Sequence, residues 1–129
     1  MPRLGEDFET WLYKELVARF SKKVVHKTIN SGATIGDNDL YLHNIADIDW
    51  QIECKTTEKK KNFIIKKEDW DHLVHQANSR LRESLLFSRN AEGDVVVVMD
   101  ALLLLELLEK LEALLILERL ERLSNLLEE

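Results

Sequence analysis

Residues 4 to 20 place Leu4, Phe8, Trp11, Leu12, Leu16 and Phe20 at steps of three and four, the spacing that gathers side chains on one face of an α-helix. An amphipathic helix is expected there. The period then changes: "KVVHKTI" at 23 to 29 is β-branched and strand-like, and "NSGATIGDND" at 30 to 39 is a polar, glycine-containing connection. A strand restarts in "DLYLHN", another runs through "DIDWQIECKT", and "NFIIK" is expected as a short partner strand after a lysine-rich turn. Trp70, Leu73, Val74, Ala77, Leu81 and Leu85 restore the helical period from about Lys67 to Phe87. "RNAEGD" punctuates, and the unbroken run "VVVVM" suits a strand covered on both faces. The order helix, strands, helix, strand, helix indicates one α/β domain over residues 1–129, with a core in 1–100.

The last helical pattern differs from the others. Seventeen of the 27 residues from 101 to 127 are apolar, more than one helix face can hide. Leu104, Leu108, Leu111 and Leu115 make one stripe, while Ile116, Leu120, Leu123 and Leu127 make another shifted by a residue, so there is no clean heptad seam. Residues 101–129 are therefore expected to form a long leucine-rich helix that lies on its own domain along one face and meets a second subunit along the other, as a homodimer interface.

Composition narrows the class. With 45% hydrophobic and 33% charged residues, four glycines and one proline, the chain is that of a globular protein rather than a disordered or fibrous one. Cys54 is the only cysteine, which excludes a disulfide framework or zinc ribbon and favours a cytoplasmic setting. "MPRLGEDFETW" lacks the apolar core of a signal peptide, and charges interrupt the leucine-rich segment every few residues, so no membrane partner is expected.

Net charge is −6, but residues 1 to 100 hold 15 basic and 17 acidic residues while 101 to 129 hold 3 and 7. The acidity sits mostly in the tail. Between 55 and 67, six lysines (Lys55, Lys59, Lys60, Lys61, Lys66 and Lys67) face one glutamate, Glu58. Such a patch can meet phosphates by counterion release, and its plain alternative is a solvated hairpin.

Chemistry concentrates in "DIDWQIECKT". Alternation along a strand sends Trp50, Ile52 and Cys54 to one face and Asp49, Gln51, Glu53 and Lys55 to the other. Glu53 and Lys55 then stand about 7 Å apart along the strand. Asp39, at the head of the preceding strand, is positioned to lie across from them. Two carboxylates converging from neighbouring strands suit a hard divalent cation, and an adjacent ammonium suits an attacking water and the charge developing on phosphoryl oxygens. The plain alternative is a surface ion-pair set. Glu9 reads equally as a solvated first-turn glutamate, Ser31 as a turn residue, and "HLVH" at 72 to 75 and Gln76 as solvated helix surface.

The wider arrangement resembles the PD-(D/E)XK nuclease superfamily, and within it the archaeal and phage Holliday junction resolvases. "GEDFE" is similar to the family's G-x-x-x-E, with its acid at Glu9; "NSGA" resembles the loop carrying a functional serine, at Ser31; "DLYLHN" resembles the strand headed by a metal-binding aspartate; and "IECK" resembles the E-x-K core. The resemblance spans roughly residues 5 to 100. It implies a restriction-endonuclease-like mixed central sheet flanked by helices. It also implies Mg²⁺, with Mn²⁺ able to substitute, held by Asp39, Glu53 and the Cys54 backbone carbonyl, with Lys55 catalytic and Glu9 supporting. Gly36-Asp37-Asn38-Asp39 departs from the family's Gly-Asp, leaving Asp37 as a second contender for the role of Asp39. The long leucine-rich tail departs as well, where the archaeal enzymes usually carry further strand-like segments.

The expected activity is thus Mg²⁺-dependent hydrolysis of DNA, most specifically of four-way junctions, leaving a 5′-phosphate and a 3′-hydroxyl in a bacterial, archaeal or phage-encoded intracellular enzyme. The alternatives are a nuclease of the same chemistry acting on duplex, flap or single-stranded DNA, and a non-catalytic dimeric interaction module.

Overall fold

The computed structural model describes residues 6–28 and 39–128. Two compact units divide the chain, Met1–Val98 and Met99–Glu129. The first contains α1 (Glu6–Phe20), β1 (Val25–Thr28), β2 (Asp39–Ile45), β3 (Ile48–Thr56), α2 (Lys67–Ser79), β4 (Glu83–Arg89) and β5 (Val95–Val98). The five strands form one mixed sheet in sequence order: β1, β2 and β3 are antiparallel, β3 and β4 are parallel, and β5 returns antiparallel to β4. The parallel step is possible because α2 supplies the crossover that a tight turn cannot.

Period-2 alternation sorts the sheet into two faces. Val25, Leu42 and Trp50 lie in register with one another, as do Leu40 and Ile52, and all five are buried on one face. Phe8, Leu12 and Leu16 of α1 are buried as well, and this helix packs against β1 and β3. The opposite face meets α2 through β3 and β4, and it is unusually polar for a covered surface. Leu73, Ala77 and Leu86 are its buried apolar residues, beside the buried polar Gln51, Glu53, Ser84 and Ser88.

The β2–β3 hairpin holds the register. Ala46 and Asp47 both have positive φ, 57° and 60°, as a two-residue type I′ turn requires. Asn44, at φ 53°, takes up a one-residue bulge between Leu42 and Ile45. Its N–H donates to Asp49 Oδ1 at 2.8 Å, and Trp50 Nε1 donates to the Ile45 carbonyl at 3.0 Å, so side chains satisfy the groups that the bulge releases.

Three expectations are corrected. The helix expected to reach Phe87 ends at Ser79, because Leu81 takes a left-handed φ of 56° and is 91% exposed; residues 83–89 alternate instead and become β4. "NFIIK" is not a strand. The segment between β3 and α2 is tied to the neighbouring turn by Thr57 N–H to Arg89 O and Ala91 N–H to Lys59 O, both 2.9 Å. β5 is an edge strand with Val97 47% exposed, so its apolar run does not mark a strand covered on both faces.

The second unit carries α3 (Ala101–Glu128), whose start is capped by Asp100 Oδ1 accepting from Leu103 N–H at 3.0 Å. No residue of α3 is buried, and most of its leucines, including Leu108, Leu111, Leu120 and Leu123, are exposed. Among the described residues, no helix is long and apolar enough to cross a membrane.

Candidate active site

Glu53 and Lys55 come together as alternation requires. Glu53 is 7% exposed, and the Lys55 Nζ lies 3.3 Å from its Oε1. A carboxylate this buried is tolerated only with compensating charge or hydrogen bonds, and the ammonium supplies part of that compensation. Lys55 itself is partly open to solvent.

A third group completes the cluster: Asp69 Oδ1 lies 3.9 Å from Lys55 Nζ. Asp69 stands in the first turn of α2, where an acid is favoured by the helix dipole. The sequence carried that signal without its meaning, since only the crossover of α2 brings residue 69 over β3. Lys55 and Asp69 also line a cavity of about 310 Å³ with Thr56, Thr57, Ile64 and Lys66.

Asp39 begins β2 and pairs with Thr28 of β1. β2 and β3 run in register through Leu40 with Ile52 and Tyr41 with Gln51, so one further step sets position 39 across from Glu53, on the same face. Cys54 projects its side chain to the other face, leaving only its backbone at the E-x-K site. Glu9 is half-buried on α1, directly after the fully buried Phe8. Ser31 and Asp37 lie outside the described residues. Among the described residues, no group of three or more His, Cys, Asp or Glu side chains is placed to hold a metal.

The lysines flank this cluster. Lys59, Lys60, Lys61, Lys66 and Lys67 are all exposed, and Lys67 donates to Asp71 at 2.7 Å along α2. His72, His75 and their neighbours on α2 form no further site; both histidines are exposed.

The other end of the same face carries a second polar network that sequence reasoning did not single out. Tyr41 Oη contacts His43 Nδ1 at 2.7 Å, and His43 Nδ1 lies 2.9 Å from Asp49 Oδ1. The Asn44 N–H, and then the His43 ring, hold the Asp49 carboxyl below its ordinary value of 3.8. Desolvation and the neighbouring Asp49 charge push the Tyr41 phenol upward. Gln51, fully buried, accepts from Arg82 at 2.7 Å and from Arg80 at 3.3 Å.

The chain matches no protein-family model, no curated protein and no solved structure to a significant degree. Its functional reading rests on these residues and their geometry.

Proposed function

We propose that this chain is a metal-dependent DNA endonuclease of restriction-endonuclease-like fold, most specifically a Holliday junction resolvase. The observation that supports it is a nearly buried Glu53 held against Lys55 on one strand, with position 39 one register step across on the same face. The element order supports it too: a helix, three antiparallel strands, a crossover helix and a parallel strand put the E-x-K residues in the middle strand of the sheet.

The donors fit a hard cation. Carboxylates and a backbone carbonyl are the ligands Mg²⁺ and Mn²⁺ take, and Asp39, Glu53 and the Cys54 carbonyl would hold it, with Glu9 in support. Such an ion supplies Lewis-acid polarisation of phosphoryl oxygens and lowers the pKa of a water. Lys55 serves the same step from the protein side. Its ammonium, shared between Glu53 and Asp69, orients the attacking water and meets charge that develops only in the transition state. Lys66 lines the adjoining cavity and Lys59 to Lys61 extend the positive surface, giving a DNA backbone a place to lie.

Junction resolution requires two nicks on opposed strands, which a two-fold homodimer supplies. The exposed leucines of α3 are the surface for that dimer. The same exposure favours a second reading, a non-catalytic dimeric interaction module. An intracellular, cytoplasmic protein without membrane attachment is the setting either reading takes.

Labelled four-way junction, duplex, flap and single-stranded DNA, each incubated with Mg²⁺, test the proposal. Paired symmetric nicks in the junction are expected; cleavage of the other substrates instead points to a nuclease of different selectivity. No cleavage of any substrate leaves the interaction module. Light scattering should report about twice the 15.1 kDa chain mass, and a monomer removes the junction-specific reading.

A further inference from the structure

Arg80 and Arg82 are arranged in a way the E-x-K chemistry does not use. Both guanidinium groups converge on one neutral atom, Gln51 Oε1, at 3.3 and 2.7 Å, so their two donating nitrogens lie within about 6 Å of each other. Among the described residues, neither arginine forms an ion pair with a carboxylate. Two like charges are thus gathered over an uncharged acceptor, a placement that costs free energy unless an anion joins them.

Gln51 and Arg82 are held in place. Gln51 is fully buried in β3, so the acceptor cannot swing away. Arg82 is stacked on the Tyr41 ring, its guanidinium carbon 3.6 Å from the centroid, and His26 stacks against the same ring at 5.7 Å. Asp49, two residues from Gln51 on this face, is already engaged by the Asn44 N–H and by His43. Each guanidinium has five N–H donors in a planar fork; one nitrogen of each is directed at Gln51 and Arg82 also bonds the Tyr41 side chain, and the donors that remain can grip a tetrahedral oxyanion.

From this we infer that Arg80 and Arg82 form a phosphate clamp for the backbone of a nucleic acid strand, separate from the E-x-K cluster and in line with it. The identity of the strand rests on the nuclease reading; the anion chemistry does not. Gln51 and Glu53 are neighbours on one face of β3, about 7 Å apart. A separation of that size places the clamp's phosphate about one or two nucleotides from the one at Glu53. Tyr41 holds the Arg82 plane in place, and the exposed His26 ring stacked on Tyr41 provides a surface on which an unpaired base can stack.

Fluorescence anisotropy of a labelled short DNA, in EDTA so that no cleavage occurs, tests the clamp across a series of salt concentrations. Arg80→Ala and Arg82→Ala are each expected to lower the slope of log K against log salt by about 0.9 for duplex or about 0.7 for a single strand. Arg82→Lys keeps the charge but lacks the fork; it should retain the slope and lose affinity severalfold. Thermal melts accompany each variant. If Arg82→Ala unfolds, the exposed Arg80 and the Arg82→Lys protein decide the matter. Unchanged slopes, or no DNA binding by the parent chain, overturn the clamp. Absence of Mg²⁺-dependent cleavage with the arginine effect intact overturns the nuclease reading and leaves the clamp standing.

Discussion

β3 and α3 invert each other's chemistry. β3 buries polar side chains, Gln51 completely and Glu53 nearly so, while α3 leaves apolar ones in the open along 28 residues, roughly 42 Å of helix at 1.5 Å each. Each departs from the usual sorting, and an unusual burial or exposure is more informative than a conventional one. In β3 the polar groups converge, on Lys55 at one end and on the two arginines at the other. Along α3 the apolar groups spread around the helix. Convergence belongs to a site for small charged groups, and spread belongs to a surface for something large.

The sharpest test of the β3 side is loss of chemistry without loss of fold. Asp39→Asn, Glu53→Gln and Lys55→Ala should each lower Mg²⁺-dependent cleavage by at least about 10²-fold while DNA binding persists. Full activity of metal-scrubbed Glu53→Gln protein would sink the site. Ca²⁺ should support binding with little cleavage, since its looser coordination positions water poorly.

A pair of leucines separates the two regions energetically. Leu73→Ala, at a fully buried position of α2, should destabilise the first unit by about 2–5 kcal/mol in urea unfolding. Leu108→Ser with Leu115→Ser, on exposed positions of α3, should instead halve the mass seen by light scattering. The unfolding of the sheet should shift by less than about 0.5 kcal/mol. A large stability loss from the α3 pair would abolish the contrast.

Smaller effects refine the polar face. Replacing Lys59, Lys60 and Lys61 by alanine should flatten the salt dependence of DNA binding by up to about 0.9 log unit per lost contact. An unchanged slope would return that segment to simple solvated surface. Asp49 makes a pH signature: its carboxyl is held low in the fold, so it contributes stability above pH 3.8 that fades as pH falls through the lower folded value. Asp49→Asn should therefore be less stable than the parent near neutrality, with the gap in urea midpoint closing in acid. A gap that widens in acid would contradict the Asn44 and His43 contacts.

How much of this was legible in the chain depends on whether local pattern and tertiary placement agree. α1 and the β2–β3 pair follow their hydrophobic periods closely, because each carries several turns or pleats of consistent pattern, and α3 is helical along its leucine-rich run although its apolar residues keep to no single face. β4 was hidden because Leu81 and Leu85 continue the spacing of α2, and only the left-handed backbone at Leu81 ends that helix. β5 read as central since four valines say nothing about which neighbours exist; the edge position comes from topology. At the site, the facing of Glu53 and Lys55 follows from alternation alone. Asp69 and the arginine pair required the crossover of α2 and its exit into β4, contacts spanning up to 31 residues of chain that no short window contains.

The hairpin at residues 44–47 acts as a gauge for chemistry several residues away. Three non-glycine residues with positive φ set how far β2 advances along β3, at a cost of roughly 1 kcal/mol or more each. Because faces alternate with every residue, one unit of slippage would carry position 39 away from Glu53 and turn Tyr41 and His43 toward the apolar side. Deleting Ala46 should therefore do more harm to the far end of the strand pair than to the turn itself. The tolerance for length change at this tip is close to nil, unlike most surface turns, and the spacing of the acidic positions is in effect cut to measure there.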